Sequence, residues 1–254
     1  MIYPEIAIAL VGAAIGSFLN VCIRRIPAGE SLVLPPSHCP KCLKAIRYYD
    51  NIPILSYLFL RGKCRSCGEE ISLQYPLVEL LTALMALLIF WKFGLTVKFL
   101  ISFIFCCVLI VITFIDFEHQ IIPDILTLPG IPLFFLAAVF VMGIPLLDAA
   151  LGLLIGGGIL YAIAAGYEII AKREGMGGGD IKLLAMLGAF FGWKSLFFLL
   201  LVSSFSGAIV GITVMVIKGK DMKYAVPFGP FHSLAALANI FWGDEFVKIL
   251  FVRY

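Results

Sequence analysis

Charge is what this chain has least of. Only 14% of its 254 residues are Asp, Glu, Lys or Arg, while 62% are hydrophobic, a balance that excludes an ordinary soluble domain. Histidine is rarer still, with three in all, and none sits in a His-Glu-x-x-His pattern, so a zinc metalloprotease of the membrane has no motif here. No Gly-x-Gly-x-x-Gly opens a helix, which removes a dinucleotide site. Nowhere do polar and apolar residues alternate as in a barrel strand, so the membrane-crossing elements are helices. The residues leading into the first apolar run, Met1 to Glu5, lack Lys and Arg, whereas Arg24 and Arg25 follow that run. This charge order predicts a retained helix with its N-terminus outside rather than a cleaved signal peptide. The net charge of +3 is small and gives no ground for nucleic acid as a partner.

What the chain does have is apolar runs of membrane-spanning length. A span needs about 20 residues. Such segments lie near 5–23, 76–93, 97–115, 124–143, 146–170, 195–217 and 225–242, with a shorter eighth at 181–192. The fold class predicted is all-α: a polytopic membrane helix bundle of about eight transmembrane helices. With the N-terminus outside, residues 24–75, 116–124, 171–182 and 218–223 face the cytoplasm and carry 14 of the 19 basic residues. Lys92, Lys98, Lys194, Lys248 and Arg253 are left outside. Without a crossing at 181–192, Lys218, Lys220 and Lys223 would move outside and the positive-inside bias would weaken, so that segment is kept as a crossing, tilted or starting deep.

Within this apolar frame two carboxylates stand out. Asp116 ends the third span running inward, and Asp180, in Gly177-Gly178-Gly179-Asp180-Ile181-Lys182, begins the sixth running outward. A carboxylate in or near hydrocarbon costs about 2.5 kcal/mol or more on insertion scales and usually serves a protected polar site. Two on different helices can share one proton and split into an acid and a base, the arrangement that activates water in an aspartic protease. The alternative is that each marks a helix end at the headgroups. Asp124, at the start of the fourth span, falls at the same face, and three carboxylates at one level argue against scattered helix ends. Gly175, Gly177, Gly178 and Gly179 would let a substrate strand approach Asp180 closely, or simply form a flexible loop. Asp148 is read as an outer-end residue, Glu168 as a helix residue near the inner headgroups, and His119 as a local hydrogen-bonding residue. Ser203-Ser204-Phe205-Ser206-Gly207 lies in a span with no histidine and is read as helix packing.

Outside the spans, Cys39-Pro40-Lys41-Cys42 and Cys64-Arg65-Ser66-Cys67 have the spacing of two zinc knuckles. Four thiolates would close a tetrahedral shell, so the metal would be structural, and a cytoplasmic setting disfavours disulfides. Reduced cysteines or a disulfide pair remain the alternative. Cys22, Cys106 and Cys107 fall in apolar segments and are read as small buried side chains.

Taken together, these blocks resemble the bacterial type IV prepilin peptidases, a bifunctional leader peptidase and N-methyltransferase family of the GxGD type of intramembrane aspartic protease. The resemblance runs over almost the whole chain. It comprises Gly16-Ser17-Phe18-Leu19-Asn20-Val21, Arg25-Ile26-Pro27, both CxxC pairs, Asn51-Ile52-Pro53, Ser56-Tyr57 and Tyr75-Pro76-Leu77-Val78-Glu79. It continues through Asp116-x-x-His119-x-x-Ile122-Pro123-Asp124, Gly175-Met176-Gly177-Gly178-Gly179-Asp180-Ile181-Lys182 and Pro227-Phe228-Gly229-Pro230. Some members carry an insertion between the first helix and the first CxxC, and this chain has the short form.

The resemblance implies a bacterial inner (cytoplasmic) membrane enzyme whose active site faces the cytoplasm. Its substrates would be type IV prepilins and type II secretion pseudopilins, cut after Gly and before an aromatic or apolar residue, usually Phe. Asp116 and Asp180 would be the catalytic pair, with Asp124, Gly177, Gly179 and Lys182 supporting. The new N-terminal amine would then be methylated from S-adenosylmethionine, with Gly62, Glu70 and Glu79 as candidate residues for that step. On this reading residues 1–23 are a first transmembrane helix, 24–75 a cytoplasmic zinc-ribbon-like domain holding Zn2+ on Cys39, Cys42, Cys64 and Cys67 and linked to methyl transfer, and 76–254 the transmembrane peptidase domain. A second reading makes Asp116, Asp124 and Asp180 the relay of a proton- or cation-coupled transporter. Relay residues are expected near mid-membrane, at broken helices, whereas these gather at one face beside a four-cysteine module with no transport role. A third is a non-catalytic membrane scaffold.

Overall fold

Runs of Leu, Ile, Phe and Val without water-facing partners bury their own backbone polar groups by forming helices. The computed structural model describes residues 3–171, 177–218 and 227–251. Lys172, Arg173, Gly175, Met176, Lys220, Lys223 and Arg253 lie outside the described residues. The helices are α1 (Tyr3–Ala28), the short α2 (Leu55–Phe59), α3 (Gln74–Phe93), α4 (Val97–His119), α5 (Asp124–Ala137), α6 (Leu146–Ala171), α7 (Gly178–Phe191), α8 (Trp193–Lys218) and α9 (Gly229–Phe251). A π-helical turn, Ala138–Met142, extends α5 and stops at Gly143.

Six of these are long and apolar enough to cross a membrane: Tyr3–Ala28, Gln74–Phe93, Val97–His119, Asp124–Met142, Leu146–Ile170 and Trp193–Ile217. The expected helix at 181–192 forms as α7, but 14 residues reach only about 21 Å, short of a hydrocarbon core of about 30 Å. It is buried on all sides from Leu183 to Phe190, as a helix apolar all round should be. The expected helix at 225–242 is α9, whose described part does not rank among the six.

The chain divides into two compact units, Met1–Val111 and Ile112–Tyr254, the boundary falling inside α4. In the first unit α1 packs on α3 through two glycines. A Cβ on Gly12 would lie 2.9 Å from the Ala83 Cα, and one on Gly16 would lie 2.7 Å from the Glu79 Cα. Small residues at such positions let backbones approach, the usual basis of helix pairing in lipid. Asn20 Nδ2 adds a bond across the pair to the Tyr75 carbonyl at 3.0 Å. Just past the apolar part of α1, the buried guanidinium of Arg25 donates to the Ser31 and Pro35 carbonyls at 2.8 and 2.6 Å and folds the chain back.

In the second unit α7 is the hub. It meets α6 backbone to backbone: a Cβ on Gly152 or Gly188 would overlap the other's carbonyl oxygen, and one on Gly156 would lie 2.7 Å from the Leu184 oxygen. Against α5, Phe134 meets Phe190 edge to face, and Gly130 makes room for the Met186 sulfur. In the first turn of α6, Asp148 accepts from the Trp193 indole N–H at 3.0 Å and from Lys194 at 3.2 Å. This carboxylate is thus a clamp between α6 and the start of α8. Ser203 and Ser206 bond to carbonyls of their own helix, as packing serines do.

Candidate active site and metal centre

Asp116 lies in the last turn of α4. That helix stops one turn later, where Gln120 adopts a left-handed conformation (φ 55°) and its N–H caps the Asp116 carbonyl at 2.9 Å. The Asp116 side chain is only 4% exposed, yet its Oδ2 is held: the Gly229 N–H donates to it at 2.9 Å. Gly229 is the first residue of α9, so this N–H is one of the helix's unpaired terminal donors, directed with the positive end of its dipole at the carboxylate. Pro230 follows without an N–H, which costs nothing in a first turn. A Cβ on Gly229 would lie 2.7 Å from that same Oδ2, so only glycine permits the contact.

Asp180 sits in the first turn of α7, after Gly177 at the N-cap. Two contacts seat this turn on the segment that follows Asp116. Gly179 lies so near Ile122 that a Cβ would come within 2.7 Å of the Ile122 Cβ, and Lys182 Nζ donates to both oxygens of Asp124 at 2.7 and 2.8 Å. The two catalytic candidates thus flank one segment: Asp116 on the helix that runs into residues 120–124, and Asp180 in the turn that packs on Ile122 and Asp124. Among the described residues Asp180 Oδ1 is buried with no hydrogen-bond partner, an acceptor the fold leaves open. Asp124 and Lys182 are themselves partly exposed and form an ion pair of the second unit, which bridges α5 and α7. Gly177 is exposed, and a Cβ there would reach only to 3.7 Å from Asp180 Oδ2. His119 stands 3.8 Å from Glu118 and is half exposed, a local interaction.

The four cysteines form a second centre, in the first unit. The same turn is built twice. Cys39 N–H donates to the Lys44 carbonyl and Leu43 N–H to that of Cys39; Cys64 N–H donates to Glu69 and Gly68 N–H to Cys64. The matching left-handed residues are Leu43 (φ 58°) and Gly68 (φ 73°). All four sulfurs lie within 4.8 Å of one another, with Cys39 and Cys67 3.8 Å apart. Sulfurs at about 2.3 Å from a tetrahedral zinc would be separated by about 3.8 Å, so the set can hold such an ion. The backbone N–H groups of Cys42 and Lys41 pull the Cys39 thiol down to about 6. The Glu69 N–H favours the Cys67 thiolate, but desolvation and hydrogen bonds with Cys64, Cys42 and Cys39 outweigh it and push that thiol up to about 11. Lys41 pairs with Glu69, and Arg65 grips Asp50 through Nε and Nη2, which lock the two knuckles to their neighbours.

The three methyl-transfer candidates fall at two places in this unit. Gly62 and Glu70 share the second knuckle: the Gly62 carbonyl accepts from Ile71 at 2.7 Å, and Lys63 bridges Glu70, which is exposed. Glu79 is buried on α3, where its Oε2 accepts the Ile54 N–H at 2.7 Å and Ser17 also bonds to it. The bond anchors a γ-turn centred on Ile54 (φ 61°, ψ −50°), closed by the Leu55 N–H to the Pro53 carbonyl at 2.6 Å, a conformation that a β-branched residue rarely adopts. Two partners were not legible from residue type: the Gly229 N–H, and Tyr57, whose hydroxyl and ring would meet any Cβ on Gly62 at 2.9 and 3.0 Å. A Gly-Pro pair opening an apolar helix was the available signal for the first.

Two family profiles match the chain: Bacterial Peptidase A24 N-terminal domain over residues 10–93, and Type IV leader peptidase family over residues 103–212. The chain is 37% identical over 258 residues to the prepilin leader peptidase/N-methyltransferase of Pseudomonas putida, covering 93% of this chain and 90% of the relative. It is likewise 37% identical over 262 residues to that of Pseudomonas aeruginosa (94% and 90%) and 35% identical over 273 residues to that of Legionella pneumophila (97% and 94%). No solved structure matches it significantly.

Proposed function

Since the chain belongs to the type IV leader peptidase family, we propose that it removes leader peptides from type IV prepilins and type II secretion pseudopilins and methylates the amine it exposes. The observation that carries the peptidase reading is the placement of the two aspartates: Asp116 buried and fixed by one backbone donor, and Asp180 in a turn packed on the segment that follows Asp116, with one oxygen unpartnered among the described residues. Two carboxylates brought together at such a site favour one shared proton. The ionised member takes a proton from water, the water oxygen attacks the scissile carbonyl, and the protonated member donates to the carbonyl oxygen. The pair titrates as a unit. Anchoring the pilin helix in the same membrane raises the effective concentration of the scissile bond. The reading puts both aspartates at the cytoplasmic face of a multi-pass inner-membrane protein.

Methyl transfer belongs, in this reading, to residues 24–75 with Gly62, Glu70 and Glu79, and S-adenosylmethionine is the second substrate. The amine, with a pKa near ~8, has to lose a proton before it attacks the methyl group. Glu70 is the freer base; Glu79 is already engaged with Ile54. Zinc on the four thiolates would brace this loop, which is too small to build its own core. The transporter reading has no observation in its favour.

The test is the N-terminal mass of a co-expressed prepilin. Asp116→Asn and Asp180→Asn each keep side-chain shape but remove the shared proton, so leader removal falls by several orders of magnitude while the protein stays inserted. Near wild-type cutting by either variant sinks the aspartyl mechanism.

A further inference from the structure

The short helix α2 and the residues before it carry an apolar face that no described residue covers. Leu55, Leu58 and Phe59 stand at i, i+3 and i+4 and share one side of the helix, with Phe59 83% and Leu58 64% exposed and Ile52 exposed just before them. The opposite side is the buried one: Ser56 Oγ bonds to the Tyr49 carbonyl at 3.1 Å, and Tyr57 lies against Gly62. Arg61 and Lys63 follow directly, both exposed and without an ion pair among the described residues.

The hydrogen bond from Ile54 to Glu79 fixes the depth of this segment. α3 has 20 residues, about 30 Å, which matches the hydrocarbon thickness. Glu79 lies about 8 Å along that axis from Gln74, and its side chain leans back toward the helix start. It also faces Gly16, near the middle of α1. The Ile54 N–H, 2.7 Å from the Glu79 carboxylate, is therefore level with the first turns of a membrane span. A segment held at that level with its apolar face outward meets the boundary between headgroups and acyl chains. Exposed Leu77, Leu80 and Leu84 give α3 an apolar outer surface of its own.

We propose that residues 52–63 form an interfacial anchor: Ile52, Leu55, Leu58 and Phe59 enter the acyl boundary while Arg61 and Lys63 lie against anionic lipid headgroups. Apolar burial with flanking basic charge is the pattern of helices lying in a membrane interface. Lipid is favoured over a protein partner because the depth is set by α3 itself. The proposal does not rest on the peptidase reading.

To test it, p-benzoylphenylalanine replaces Phe59 in the full-length protein, in vesicles of phosphatidylethanolamine and phosphatidylglycerol, with a leader-bearing pilin precursor present. The same photolabel at Ser66, exposed on the second knuckle, is the reference. After irradiation, lipid adducts at position 59 are expected about tenfold or more above those at 66, as burial of an aromatic in the interface requires. Equal lipid adducts at the two positions, or none at 59, overturn the proposal. Adducts to the pilin precursor in place of lipid overturn it in favour of a substrate-docking face. In a second arm, Arg61→Gln with Lys63→Gln lowers the share of phosphatidylglycerol among the adducts by about fivefold per charge removed. An unchanged share overturns the electrostatic part. A thermal transition matching that of the unlabelled protein shows that each variant is folded.

Discussion

Gly229 shows how much a single missing side chain can decide. Its N–H is the bond that holds Asp116 Oδ2, and a Cβ there would lie 2.7 Å from that oxygen. Gly229→Ala is therefore expected to cut leader removal about 100-fold, the scale of a one-ångström misplacement in a site, with the protein still inserted and folded. A quantitative cleavage time course checks it, and activity within a factor of two of wild type contradicts it. Gly62 is the counterpart in the first unit. Its φ of +68° suits glycine, and an added side chain meets Tyr57. Gly62→Ser should leave cleavage intact and yield a pilin lighter by one methylene, because Gly229 and Gly177, the described contacts of Asp116 and Asp180, lie in the other unit. Equal loss of both reactions would make the loop a shared clamp or folding element. Asp116, Asp180 and the four cysteines were legible from sequence because carboxylates in an apolar chain and paired thiols at knuckle spacing have few other uses. The Gly229 donor was not, since a backbone N–H leaves no mark in residue type. The Asp124–Lys182 pair was hidden for a related reason: the two lie 58 positions apart, and only the packing of α7 on the 120–124 segment joins them.

At the scale of elements, the contact of α6 with α7 is the tightest described. Gly152 and Gly188 approach so closely that either backbone forbids a side chain on the other. Gly152→Val should force the helices apart and cost at least about 1–3 kcal/mol, the usual range for overpacking. Unfolding in mixed detergent micelles measures it, and an unchanged midpoint would remove the contact from the account of stability. Because α7 carries Asp180 in its first turn, the same variant should also slow cleavage. Most spans were readable from hydropathy to within a turn, as all their signal is local. The length of α7 was read as well, but not its standing as a crossing: burial on all sides lets a 14-residue helix be as apolar as a span without being as long.

Over the whole chain, the division into units predicts what metal removal does. The cysteine cluster and α1 to α3 belong to Met1–Val111, while Asp116, Asp124, Asp180 and Gly229 belong to Ile112–Tyr254. Stripping the ion with a strong chelator should expose the 24–75 segment to protease and leave 112–254 protected. Freshly purified, reduced protein should hold about one zinc per chain through four thiolates. Cys39→Ser with Cys64→Ser should release it, and finding no metal in the starting protein would end the claim. The boundary inside α4 could not be read from sequence, because one continuous apolar helix gives hydropathy no place to break.

The open oxygen of Asp180 also has a pharmacological consequence. No described residue donates to this buried carboxylate oxygen, so a small molecule can offer it one hydroxyl. A hydrogen bond to a charged group contributes about 1.5–3 kcal/mol, or roughly 10- to 150-fold in affinity. Inhibitors built on a non-hydrolysable alcohol should thus outbind their deoxy analogues by that factor, and Asp180→Asn should erase most of the difference.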